Sequence, residues 1–455
     1  MSNLTACQKI ANWVTHLTLE AIPENVRRTA MQSWVDVMGC MIGGAQNDSV
    51  KKLFELVKSE HGDGQCSLFG TENHTSPIGA ALANGAAAHA LDFDDTCYAG
   101  VVHASATVGA AVMAAAEHTD ADGKTAFTAF IAGLEAEYAF GRAASNQLFM
   151  DGWWTTSVFG GLGAAAGAAK AMGLDAPQTA AAIAHALCRV SGLRVANGTD
   201  AKFIGNGQTA SLGVTSAFFA DADLSSPLDA LEGSNGMAQL IKRGPIDLAS
   251  LDMLGKTWSL IDPGVYIKPY PSCSASHAAA EATTKLLIEN NLSPEDIISV
   301  NVEAPQIVVD SLIYDNPERI PEGQFSLQFI IGCVIIDKSF DVTRTSSKAL
   351  EDPAVRSLMD KISLTHDPEL TARSKSGEIG PECAKVYLTT AKGETLKLFN
   401  SEAIGAPAKP MSEEQLDAKF LNLATFSGRK GNADIVLERI RNIVELESCR
   451  DLWTT

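Results

Sequence analysis

The run Gly160-Gly161-Leu162-Gly163-Ala164-Ala165-Ala166-Gly167-Ala168-Ala169-Lys170 limits what this chain can become more than any other stretch. It lacks the β-branched and aromatic bulk that fills a pleated sheet. As a helix it carries a propensity cost at each glycine, so neighbours that approach closely must supply the compensating contacts. Phe159, Leu162 and Met172 punctuate the run, which separates it from a low-complexity tract. Gly85-Ala86-Ala87-Ala88 repeats the theme, and aromatic residues make up only 6% of the chain. Tightly packed helices are therefore expected.

The first 260 or so residues read as helices. Val26, Ala30, Trp34, Val37 and Met41 recur at helical spacing after Pro23-Glu24, and Gly43-Gly44 ends the pattern. Asp175 with Gln178 predicts a capping box. After about residue 270 the pattern changes. Ser299–Glu303 alternates as a strand does, and Lys385–Thr390 with Thr395–Leu398 predicts a hairpin around Ala391–Glu394. Helices are expected at Phe325–Ile336 and Ala354–Ile362 between them. Ser412 with Gln415 opens another, and Ile435, Ile440, Ile443 and Val444 mark a last one. A chain of 455 residues exceeds what one core supports, so two domains are expected, with the C-terminus returning to the first.

A net charge of −19 excludes a nucleic-acid surface, which needs clustered Lys and Arg. Any anion must be held by a local basic pocket. The nine cysteines include no Cys-x-x-Cys pair, which removes the usual support for zinc or iron–sulfur sites. Single thiols in odd number fit a reducing, cytoplasmic compartment. Met1–Gln8 is polar, and no run of about 18 apolar residues occurs, so neither a leader nor a membrane span is expected.

The chemistry concentrates at Asp92-Phe93-Asp94-Asp95-Thr96, followed by His103. A carboxylate can orient an imidazole, which then moves protons near neutral pH. The alternative is an acidic turn that caps a helix. Lys202 lies in the glycine-rich segment 197–207, and Lys268 opens Lys268-Pro269-Tyr270-Pro271-Ser272-Cys273, shortly before His277. Ser274 or Ser276 is expected to cap the helix starting near His277, with Lys268 placed to hold a carboxylate. Cys273 lacks the pattern of a nucleophile with its base, and no Gly-x-Ser-x-Gly elbow is present.

Taken in order, these segments resemble the MmgE/PrpD family, whose members include 2-methylcitrate dehydratases, cis-aconitate decarboxylases and iminodisuccinate epimerases. The resemblance is carried by Asp36, Asn84-Gly85, His89-Ala90-Leu91-Asp92-Phe93-Asp94-Asp95-Thr96, His103-Ala104-Ser105, Gly198-Thr199 with Lys202, Lys268–Cys273 with His277, and Gln324-Phe325-Ser326. It implies a mainly α protein: a helical domain from residues 1–268 and 405–455, and an inserted α+β lid domain over 269–404. It further implies a site in the cleft between them, a homodimer, and no metal or organic cofactor. The implied substrate is a small di- or tricarboxylate. Asp92, Thr96, His103, Lys202 and Lys268 match the family's site positions; Asp95, Trp154, Cys273 and His277 are expected to touch substrate beside them.

The chain also departs from the family pattern. Trp154 and Gly205 stand where histidines are common, Phe329 where a tyrosine occurs, and Ala104 replaces a proline. These readings give three expectations: a dehydratase-type lyase, with His103 oriented by Asp92 or Asp95; an epimerase using the same proton abstraction; and a carboxylate binder without turnover.

Overall fold

The computed structural model describes residues 4–241 and 246–453; Met1–Asn3 of the polar start read above lie outside them. The chain is mainly helical. The helices Glu24–Gly44, Pro77–Ala90, Ala104–Thr119, Gly123–Ala144, Thr155–Ala171 and Asp200–Asp221 build one hydrophobic core. Leu416, Phe420, Ile440 and Leu452, from the C-terminal helices, belong to that same core. A second core runs from Tyr266 to Ala406. There, strands Ile362–His366, Ile297–Ala304, Ala384–Thr390 and Thr395–Asn400 lie side by side in that order. The first pair is parallel and the other two are antiparallel. Val300 and Val302 on one strand and Val386 and Leu388 on the next are buried, packed with residues of helices His277–Glu289 and Leu327–Asp337. Among the described residues, no helix is long and apolar enough to cross a membrane.

The small-residue runs do what their composition requires. A Cβ on Gly207 would sit 2.1 Å from the Leu82 carbonyl oxygen, and one on Gly85 would sit 3.1 Å from the Gly207 Cα. The helices Pro77–Ala90 and Asp200–Asp221 therefore touch backbone to backbone. Gly213 meets Ala164, and Gly163 and Gly167 meet the helix Gly123–Ala144, in the same manner. This contact sets the site, because Lys202 on one helix must reach His89 and Asp92 at the end of the other. Gly207→Val is expected to force the two helices apart. Overpacking of this kind costs about 1–3 kcal/mol, and Lys202 should be displaced from Asp92. A drop in thermal midpoint with lost turnover is the expected pair of results; unchanged values in both would contradict this role.

Both capping boxes, at Asp175/Gln178 and Ser412/Gln415, are present, as are the strand near 299–303 and the hairpin. Two local expectations are corrected. The helix expected at Ala354–Ile362 ends at Met359, and Ile362–His366 is a strand whose parallel partner lies 60-odd residues earlier. Ser274–Ser276 is a 3-10 turn, and neither serine caps the helix His277–Glu289. Ser276 Oγ instead donates to the Cys273 carbonyl at 2.8 Å, and Ser274 Oγ to Glu382.

Candidate active site

The Pro77–Ala90 helix ends just before the acidic motif, whose backbone turns at Asp92 in the left-handed region (φ 48°). The motif continues into the short strand Thr96–Cys97, which pairs with Val265–Tyr266 and so brings Lys268 alongside. Lys419, from the C-terminal helix Glu413–Phe426, donates to the carbonyls of Phe93 (2.7 Å) and Lys268 (2.8 Å) and pairs with Asp36 at 2.5 Å. One buried ammonium thus ties both segments to the chain's first long helix. None of the three motif carboxylates caps a helix; His103 itself is the N-cap residue of Ala104–Thr119.

Asp92, Thr96, His103, Trp154, Lys202, Lys268 and Cys273 line one cleft, which contains about 520 Å³ of empty space including its mouth. Lys202 Nζ donates to Asp92 Oδ1 at 2.6 Å and to His89 Nε2 at 2.7 Å. Lys268 Nζ donates to the Asp92 carbonyl at 2.8 Å and lies 3.3 Å from Oδ1. Burial opposes ionisation of Asp92, but Lys202 and Lys268 overcome it and hold the carboxyl well below its ordinary range. Burial likewise opposes the Lys268 charge, and here Asp92 and Asp94 win, so its pKa rises. For Lys202 burial dominates and its pKa falls. Its ammonium faces the rings of Trp154 at 4.7 Å and Phe325 at 5.2 Å.

The tautomers follow from the partners. His103 Nδ1 lies 2.8 Å from the Asp95 carbonyl oxygen, which can only accept, so Nδ1 carries the proton. Nε2 then holds the lone pair, and it has no hydrogen-bond partner among the described residues. Burial, followed by the opposed charges of Asp94 and Lys268, keeps His103 well below its usual pKa and therefore neutral. His89 Nδ1 donates to Asp94 at 2.9 Å, leaving Nε2 to accept from Lys202.

The expected orientation of His103 is thus corrected. Its nearest carboxylate is Asp94, at 3.5 Å, rather than that of Asp92 or Asp95. The Asp95 carboxyl lies behind the cleft, where it accepts from Ser105; burial, then Asp36, pushes it up to about 7. His277 is fully buried between Tyr266 and Ser272, also outside the lining. Of the four replaced family positions, only Trp154 lines the cleft, stacked on His103 with centroids 5.7 Å apart. Its indole Nε1 is buried without a partner. Gly205 and Phe329 do not line it.

His89, Asp94, Tyr98 and Glu382 also belong to the site or its wall, and the sequence assigns none of them a role. The first two stand inside the quoted motif, five residues apart across a helix end, and that spacing was the available signal. Glu382 carries none. His89, Asp94 and His103 bring ligand-type atoms within 4.8 Å of one another. Hydrogen bonds already engage both ring nitrogens of His89, the Asp94 carboxylate and His103 Nδ1, and the adjacent Lys202 ammonium repels a cation.

A model of the MmgE/PrpD N-terminal domain matches residues 8–248, and one of the MmgE/PrpD C-terminal domain matches residues 270–442. The chain belongs to the MmgE/PrpD family. Among curated members it is 26% identical to the cis-aconitate decarboxylase of Mus musculus over 97% of this chain and 91% of the relative. It is 26% identical to the cis-aconitate decarboxylase of Homo sapiens, over 83% and 79%. A cis-aconitate decarboxylase-like protein of Aspergillus oryzae is 24% identical over 99% and 96%.

Proposed function

We propose that this MmgE/PrpD chain is a lyase of the dehydratase type acting on a small di- or tricarboxylate. The observation that carries the reading is the neutral His103, whose unbonded Nε2 belongs to a cleft that also presents Lys202 and Lys268. In this reading Nε2 takes a proton from the carbon next to a substrate carboxylate. The two lysines offset the negative charge that develops on that carboxylate, where their burial makes them most effective. Lys202 and Lys268 both pair with Asp92 and both line the cleft, so each stands where a carboxylate of an incoming anion would meet it. Thr96 supplies a hydroxyl beside the imidazole, 3.3 Å from Nδ1.

Decarboxylation is the second reading. Val101, Phe149, Trp154, Ile307 and Phe325 give the cleft an apolar wall that favours loss of charge from a carboxylate, and the relatives' names point the same way.

Incubation with citrate, malate, cis-aconitate and aspartate in deuterated water, followed by NMR, tests the proposal. Alkene signals with loss of water support the first reading, and release of carbon dioxide supports the second. Deuterium uptake at one carbon with no loss of mass would replace both with an epimerase. Thermal stabilisation without any turnover would leave a binder.

A base must be neutral to act, and His103 is held below its ordinary value of about 6.5. We therefore expect kcat/KM to stay level as pH falls through 6.5 and to decline only at lower pH. A decline centred at or above 6.5 in the pH profile would exclude His103 as the base.

A further inference from the structure

Two cavities in this molecule share a wall. The inner one is the cleft just described; the outer one is a surface cleft bordered by Asn146, Pro263, Tyr266, Gly380 and Pro407. Tyr98, Ser274 and Glu382 line both. Glu382 stands in the loop between the helix Pro368–Lys375 and the strand Ala384–Thr390. Its Oε1 accepts from Ser274 Oγ at 2.8 Å, and the Tyr98 hydroxyl bonds to the same carboxyl.

Asp92 and Glu382 are the two carboxyl groups in the inner lining, and their surroundings shift them in opposite directions. Two lysines hold Asp92 ionised. Burial raises Glu382, partly offset by Ser274, Tyr98 and Lys268, with Asp92 adding to the rise. Cys273 and Tyr266 are the other titratable groups that feel its charge. Paired carboxyls driven apart in this way are the usual mark of an acid beside a fixed charge.

Dehydration needs two groups. When His103 takes the proton from carbon, hydroxide leaves poorly unless it is protonated as the C–O bond breaks. We propose that Glu382 is the acid that protonates the leaving hydroxyl, and that it regains its proton from solvent through the outer cleft. This rests on the dehydratase reading and adds a group to it. The C–H electron pair becomes the new C=C bond, and the proton passes to His103 Nε2. The C–O electrons stay with oxygen, which takes the Glu382 proton and departs as water. The imidazolium then releases one proton to solvent and the carboxylate takes one back.

The test uses the full chain with whichever of citrate or malate it dehydrates. Glu382→Gln keeps the size and hydrogen bonds but not the acid. It should lower kcat by about 10²–10⁴ with KM little changed, and the alkaline limb of the kcat profile should disappear. Glu382→Asp should recover part of the rate. Ser274→Ala removes a bond that favours the charged form and should move that limb to higher pH; this readout remains if the Gln variant does not fold. Near-normal kcat in Glu382→Gln, with the alkaline limb intact and His103→Ala inactive, overturns the role of Glu382 and leaves the lyase reading standing. Carbon dioxide from cis-aconitate without dehydration of any substrate also overturns it, in favour of the second reading. No turnover by the unaltered chain overturns both proposals.

Discussion

His103→Ala is expected to lower turnover by about 10²–10⁴, the contribution of one positioned acid–base group, without unfolding the protein. The imidazole is 10% exposed, belongs to the cleft lining, and is held by a backbone carbonyl rather than by core packing alone. Alanine leaves that carbonyl, Asp95 O, with Thr96 nearby and opens space on the Trp154 side. Substrate affinity should change less than kcat, because Lys202 and Lys268 remain. His103→Gln sharpens the test: it can still donate toward Asp95 O but cannot take a proton. Loss in both variants, with thermal midpoints close to the parent's, assigns the chemistry to the imidazole. Parent-like turnover in either removes His103 from the mechanism.

The largest stability effect should come from Asp92→Asn. Asn tolerates the left-handed backbone at this position, so geometry is kept while the charge is lost. Lys202 and Lys268, 4% and 1% exposed, would then share a buried space with no carboxylate between them. Removing one partner from a buried ion pair typically costs about 3–5 kcal/mol. Urea unfolding should show that loss. The double variant Asp92→Asn/Lys202→Met should recover part of it, because the remaining Lys268 still feels Asp94. A tricarboxylate such as citrate should stabilise Asp92→Asn more than it stabilises the parent, by substituting for the missing anion. If Asp92→Asn unfolds at the same urea concentration as the parent, the ionised bridge described here is not the one that holds the two lysines.

These expectations show how far the linear order reaches. Gly160–Lys170 and Gly85–Ala88 predict close helices because a missing Cβ is useful only where a backbone approaches, and Gly163 against Gly133 and Gly85 against Gly207 are such approaches. The capping boxes and the hairpin are equally local, each decided within a few residues. Ile362–His366 is different: five residues show alternation too brief to identify, and the partner strand that stabilises them is remote in sequence. The acidic motif likewise announced that carboxylates and an imidazole stand together, but not which pair. The turn at Asp92 sends its side chain to the lysines, leaves Asp94 between the two histidines, and aims Asp95 into the core toward Ser105. Alternate residues of a short turn face different ways, so spacing alone cannot rank them.

Composition and local pattern determined that this is a helical chain with an α+β segment, an acidic surface and a carboxylate–imidazole motif. Packing decided the rest. Lys202, Lys268, Lys419 and Glu382 acquire their roles only where separate helices and loops converge on Asp92 and its neighbours. The physical reason is that a charge is defined by what surrounds it: the same ammonium is an ordinary surface group in water and a site-forming one when burial leaves it a single carboxylate to face.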